Sequence, residues 1–233
     1  MSRSPLRSLL MAFGASERGV AAIEFAFILP VLLVLLLGTF EISKYIQTNN
    51  QVVRTVSMIG QMASQLPASA QAGDVQRIWS AAPLIAPEAL RTAERLGRGG
   101  WSDALSVTIT SIAFTKRDSA CQTACEYEGN VAWSVGQSPV ACGKIPSGAA
   151  VAPTSETIPS ELYGSGSVLF VRATLPYAPY LAGTSNFLGG LAGSLTTTMA
   201  ESSWFLPRNA SRIVLSGTGA ANPQVRLCPG VNS

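Results

Sequence analysis

The chain has 233 residues, 47% of them hydrophobic and only 12% charged, with a formal net charge of +3 and no histidine. Ordinary soluble domains carry about 25% charged residues, so membrane attachment or export is expected instead of a fully solvated globule. The lack of histidine removes the commonest general base, the usual serine-protease arrangement and most zinc sites. No Lys/Arg cluster with interleaved aromatics occurs after the N-terminal region, which leaves nucleic-acid binding without support.

Residues 1–19 form a basic leader, with Arg3, Arg7 and Arg18 against Glu17 alone. An apolar run from Val20 to Phe40 follows, 21 residues in which Glu24 is the only charge. As a helix this run is roughly 31 Å long, one hydrocarbon thickness, so residues 20–40 are expected to span a bilayer. The basic flank predicts a cytoplasmic N-terminus. A carboxylate at mid-membrane costs about 2.5–3.5 kcal/mol on insertion scales, and less near the ends, so Glu24 is expected to have a role. Pro30 removes a backbone donor inside the run and predicts a kink. A cleaved secretory signal fits poorly. Its apolar core is shorter, and Gly38-Thr39-Phe40-Glu41-Ile42-Ser43-Lys44 contains no A-x-A-like site.

The helical period continues past the apolar run. Ile42, Tyr45/Ile46, Asn49, Val52/Val53, Val56, Ile59, Met62/Ala63 and Leu66 recur every three or four residues until Pro67. Residues 41–66 therefore read as an amphipathic continuation of the first helix. Together, Val20 to Leu66 would measure about 70 Å.

Residues 67–233 read as one exported domain. Asp74 is placed to cap a helix through Val75, Ile78, Trp79 and Ala82. Pro83 and Pro87 interrupt it. Pro87 starts a further helical stretch that Gly97, Gly99 and Gly100 end. The period then shifts to two. Leu105–Ile112, Asn130–Val135, Val168–Leu175 and Leu195–Ala200 alternate as half-buried strands do. Helices first and strands after predict an α+β domain with an antiparallel sheet of about four strands, on which the long helix packs. Two longer loops are expected at residues 116–128 and 136–159.

All four cysteines, Cys121, Cys125, Cys142 and Cys228, lie after the apolar run. An even number on the translocated side predicts disulfides in an oxidising compartment, with three pairings open. Their spacing does not match a four-cysteine zinc site, and no metal or cofactor is expected. Gly97-Arg98-Gly99-Gly100 and Gly164-Ser165-Gly166-Ser167 match no phosphate-binding loop and read as turns. Asp103, Asp118, Glu126 and Glu128 are scattered, as solvated loop acids are. No catalytic cluster is present, so an enzyme is not expected.

Within Arg18-Gly19-Val20-Ala21-Ala22-Ile23-Glu24-Phe25, Gly19 stands five residues before Glu24 and six before Phe25. This G-x-x-x-x-E-F stretch, with its basic leader and apolar helix, resembles the cleavage and assembly signal of type IV pilin-like proteins, in the form found in TadE-like pseudopilins of tight-adherence pili. Looser similarity extends to the Pro87 region, to Val171–Tyr177 and to Leu195–Arg208, ending in Phe205-Leu206-Pro207-Arg208.

The resemblance implies a pilin-like fold, a long N-terminal helix packed on an antiparallel sheet. It also implies a minor pseudopilin acting in assembly of a tight-adherence pilus. An aspartyl prepilin peptidase of the inner membrane would cut between Gly19 and Val20. Glu24 and Phe25 would serve assembly with other pilin or pseudopilin subunits and the inner-membrane machinery. The chain would be a single-pass protein of the bacterial inner membrane, with its C-terminal domain periplasmic or extracellular. Val20, where many type IV pilins have phenylalanine, puts N-methylation of the new terminus in doubt. The D-x-S-x-S metal site of larger relatives is not matched by Asp118-Ser119-Ala120-Cys121. The alternative in a different class is an uncut, signal-anchored periplasmic binding or adhesion domain.

Overall fold

A computed structural model describes residues 17–145, 157–177, 179–180, 197–219 and 223–233. The chain divides into two compact units, Met1–Tyr45 and Ile46–Ser233. Helix α1 (Glu17–Ser64, 48 residues) contributes to both and continues through Pro30. The leader residues Arg3 and Arg7 lie outside the described residues.

In the first unit α1 is apolar on every side. Phe25, Phe27 and Val34 are 58%, 74% and 70% exposed. The helix is long and apolar enough to cross a membrane, with a mean hydropathy of 2.5 in its most apolar window and none of that window buried by protein. Water is a poor solvent for such a surface, since each apolar side chain left exposed forgoes about 1.5–3 kcal/mol of burial.

The second unit begins with the rest of α1. The elements that follow are β1 (Ser69–Gln71), α2 (Ala72–Ser80), α3 (Ala82–Ile85), α4 (Glu88–Arg95) and α5 (Trp101–Ala104). Then come β2 (Ser106–Lys116), β3 (Tyr127–Gly136), β4 (Ser167–Tyr177), β5 (Thr197–Phe205), β6 (Val214–Ser216) and β7 (Gln224–Leu227). Five strands form an antiparallel sheet in the order β5-β4-β2-β3-β7. The short strands β1 and β6 make a separate parallel pair.

The helix packs on one face of the sheet, as an α+β pilin-like arrangement requires. Val52, Val56, Ile59 and Ala63 join Ile109 of β2, Trp133 of β3 and Leu169 and Val171 of β4 in one buried cluster. The helical stripe differs from the sequence reading in detail. Ile42, Ile46 and Val53 are exposed, whereas Thr48, Thr55 and Ser64 are buried. The hydroxyls of Thr55 and Ser64 donate to the carbonyls of Gln51 and Gln61 at 2.8 and 2.7 Å. A hydroxyl satisfied within its own helix can enter a core that an unpaired polar group could not.

Local signals account for the helix ends. The Ser64 carbonyl accepts the Arg208 N–H at 2.8 Å, and the Gln65 carbonyl accepts Asn209 Nδ2–H at 2.6 Å. Both satisfy carbonyls that a helix terminus leaves open. Asp74 is not the cap of α2 but its third residue. Its Oδ2 reaches back to accept the Gln71 N–H at 2.9 Å, the carboxylate half of a capping box. Gly97, at φ +64°, ends α4 in the left-handed region, and the Arg98 N–H bonds the Ala93 carbonyl at 2.8 Å. Glu88, almost fully buried, is held by Arg95 at 2.6 Å, and its N–H donates to Gln51 Oε1 at 3.1 Å, tying α4 to α1.

Strand β2 corrects the half-buried expectation. It is buried on both faces from Val107 to Phe114. A β-bulge between Ser111 and Ile112 interrupts its pairing with β3. The face away from α1 carries a second apolar cluster of Ile112, Phe114, Ile158, Val168 and Phe170. Part of the loop expected over 136–159 supplies that cover. Lys144 bridges Asn130 beside β3, and Ile158 is 2% exposed. Residues 146–156 of that loop lie outside the described residues, as do Leu195 and Thr196 of the fourth predicted strand.

Candidate functional site

The segment singled out by sequence lies at the start of α1. The helix begins at Glu17, so the Gly19–Val20 peptide falls within its first turn. Glu24 follows Val20 by four residues, about one turn along the helix. Glu24 and Phe25 are both exposed. The apolar run closes with Thr39, whose hydroxyl donates to the Leu36 carbonyl at 2.8 Å. Lys44 then places its ammonium 5.6 Å from the centre of the Phe40 ring. That contact suits the edge of an apolar zone, where a long cationic side chain lays its stem on apolar surface and keeps its charge wet.

The four cysteines belong to the second unit and are all paired. Cys121 bonds Cys125 across the tip of the β2–β3 hairpin, and Cys142 bonds Cys228 across 86 positions of sequence. Glu126 and Glu128 of the hairpin are ion-paired. Glu128 lies 2.6 Å from Lys144 and 3.3 Å from Arg117, and Glu126 lies 2.7 Å from Arg117. Lys144, then Arg117, hold the Glu128 carboxyl below the usual glutamate range. Among the described residues no group of three or more Cys, Asp or Glu is placed to hold a metal ion.

Sequence reading did not find a cavity of about 590 Å³ on the face of the sheet away from α1. Its lining includes Thr108 and Thr110 of β2, Phe170 and Arg172 of β4 and Trp204 of β5. The available signal was the alternation itself. The hydroxylated positions between the apolar ones read as solvated, but the register of β2 and β4 gathers them beneath a cover.

Comparison with known proteins bears on the first segment. No curated protein and no solved structure matches the chain. A family profile described as TadE-like protein matches residues 19–60. The match runs from the glycine of the G-x-x-x-x-E-F stretch to Gly60 and lies wholly within α1. It does not extend to Pro87, to Val171–Tyr177 or to Leu195–Arg208. Over residues 19–60, the chain is similar to the TadE-like protein family.

Proposed function

We propose that the chain is a minor pseudopilin that takes part in assembly of a tight-adherence pilus. The observation that carries this reading is the TadE-like match over residues 19–60, on a helix whose exposed apolar stretch holds Glu24 as its only charge. Residues 1–19 act as a leader, residues 20–40 cross the inner membrane, residues 41–66 continue the helix, and residues 67–233 form the periplasmic or extracellular domain. The protein is structural and works with other pilin subunits and the inner-membrane pilus machinery.

A prepilin peptidase removes the leader between Gly19 and Val20. A protease reads an extended backbone, so the first turn of α1 must open for the cut. Glycine lowers the cost of opening, being less favourable than alanine in a helix by about 1 kcal/mol. It also lets the chain lie close to the walls of a narrow cleft. Cleavage creates an amine on Val20, one turn from the Glu24 carboxylate. That carboxylate pairs with the new amine, in its own chain or a neighbour's, which offsets part of the cost of holding a lone charge in lipid.

N-terminal mapping of the native protein, with and without the peptidase, tests the reading. A mature terminus at Val20 that disappears without the peptidase is expected. Gly19→Ala should block the cut. Glu24→Ala should leave the cut nearly intact while removing the protein from the pilus assembly. An intact Met1 in cells that hold active peptidase would favour an uncut, signal-anchored domain, and normal incorporation of Glu24→Ala would refute the role given to the carboxylate.

A further inference from the structure

The two disulfides of the second unit are framed differently by the backbone around them. Cys142 and Cys228 are brought together by bonds to β3 that do not involve sulfur. The Val131 N–H donates to the Gly143 carbonyl at 2.9 Å, and the Cys228 N–H donates to the Ala132 carbonyl at 2.9 Å. Strand β7, which ends one residue before Cys228, is itself paired with β3 from Trp133↔Leu227 to Gly136↔Gln224. With the sulfur–sulfur bond broken, these contacts would still hold the two thiols side by side. A fold that keeps two thiols adjacent gives them a high effective concentration and makes their bond hard to reduce. Cys228 is also only 2% exposed.

Cys121 and Cys125 lack such a frame. Strand β2 pairs with β4 only from Ser106 to Ala113, and β3 pairs with β7 only from Trp133 to Gly136. Beyond those limits β2 and β3 run on as a two-stranded ribbon, to a last pair Lys116↔Tyr127. The Arg117 N–H then closes the ribbon on the Glu126 carbonyl at 2.9 Å. Among the described residues no backbone hydrogen bond crosses the tip beyond that one. Gln122, Thr123 and Ala124 are exposed. Ala124 is at φ +52°, a left-handed conformation that residues with a Cβ seldom adopt. Once the bond opens, the loop can leave that conformation and the thiols can part.

We propose that Cys121–Cys125 is a thiol-exchange site, opened by a dithiol reductant while Cys142–Cys228 stays closed. A thiolate of the dithiol attacks one sulfur, the sulfur–sulfur bond breaks, and the other sulfur leaves as a thiolate that takes a proton from water. The second thiol of the reductant gives up its proton, attacks the mixed disulfide and releases the remaining cysteine. Two protein thiols and one reductant disulfide result. The change is confined to the tip, because the buried clusters reach no further along the ribbon than Phe114 and Tyr127. The site lies in the second unit and does not depend on the role given to residues 19–60.

The test equilibrates the full chain, in detergent, with mixtures of reduced and oxidised dithiothreitol. Each midpoint is approached from both sides, so that access to the sulfurs does not decide the result. Acid quenching, alkylation and peptide mapping report each pair. Cys121 and Cys125 should be half alkylated at a reduced-to-oxidised ratio at least about tenfold lower than Cys142 and Cys228. At that ratio the tryptophan bands of the near-ultraviolet circular dichroism should be unchanged, which a general loss of structure would not allow. In Cys121→Ser/Cys125→Ser the midpoint of the remaining bond should stay where it is. The proposal is overturned by midpoints closer than that or in the reverse order, by neither bond opening in excess reduced dithiothreitol, by tryptophan bands that collapse as the tip bond opens, or by a shifted Cys142–Cys228 midpoint in the double variant.

Discussion

Gly60 on α1 lies against the ring of Phe205, the last residue of β5. A Cβ added at position 60 would sit 2.1 Å from Phe205 Cε2, 2.3 Å from Cζ and 2.4 Å from Cδ2. Carbon atoms rest about 3.5–4.0 Å apart, so Gly60→Ala must push the ring away by more than an ångström. Two terms then oppose each other. Alanine favours the helix over glycine by about 1 kcal/mol. Overpacking costs about 1–3 kcal/mol. The half-buried ring can also swing toward solvent, and the cost is then the loss of its contact with the core, part of the roughly 1.5–3 kcal/mol that full burial of such a side chain is worth. The net expectation is a loss of about 1 kcal/mol, a fall in melting temperature of about 2–4 °C for a chain of this size. The control is sharper than the single variant. In a Phe205→Ala background the clash is gone, only the helix term remains, and Gly60→Ala should raise stability by about 1 kcal/mol. Thermal melts of the four proteins by circular dichroism, in one detergent, complete the cycle. If Gly60→Ala has the same sign in both backgrounds, helix-to-sheet packing through this pair is refuted.

The two disulfides should differ in worth. On loop length alone, the Cys142–Cys228 bond, with its separation of 86, contributes about 4.6 kcal/mol, whereas the Cys121–Cys125 bond, with its separation of 4, contributes about 1.9 kcal/mol. Paired serine substitutions followed by thermal melts should therefore show the larger fall for Cys142/Cys228, and the reverse order would contradict the entropic account. Acid should weaken the second unit. The Gln71 N–H, then Arg77, lower the Asp74 carboxyl, and Lys144, then Arg117, lower that of Glu128. A folded-state value below the unfolded one means stability that is present above the usual carboxylate range and lost as pH falls through the lowered values. Asp74→Asn and Glu128→Gln should each flatten the decline of melting temperature on the acid side and leave its slope near neutrality unchanged.

Periodicity made the main elements legible. The apolar stretch and the three-to-four spacing gave α1, and Pro83, Pro87 and the glycines after Leu96 broke the helices that follow. Alternation gave the long strands, because one face of the sheet takes Val, Ile, Leu and Trp while the other takes Thr and Ser. The same alternation misled about β2, since hydroxyl-bearing residues read as wet when the chain that covers them lies dozens of residues away. Strands β1, β6 and β7 have three or four residues each, too few for a period to register, and pairing partners far along the chain decide that they are strands at all. The start of α1 was legible in a different way. A single carboxylate in an apolar run is costly enough to stand out without any knowledge of the fold, whereas the cavity depends on register, which no local pattern encodes.

Strands β7 and β6 and the Cys142–Cys228 bond also set an order of events. Strand β3 pairs with β7 through Trp133↔Leu227 and Gly136↔Gln224, and β1 pairs with β6 through Ser69↔Val214 and Gln71↔Ser216. The indole of Trp133, buried at the centre of the core, donates to the Ile213 carbonyl at 2.8 Å. Each of these closures waits for residues that lie dozens of positions further along the chain. The second unit therefore cannot begin from its amino end and settle as it emerges. Pairings of such long sequence separation are slow to form, and until residue 228 arrives both the sheet edge beside β3 and Cys142 stay open. During that interval the nascent chain is exposed to proteases and stray thiols. A chain truncated before Ile213 would remain in that state permanently.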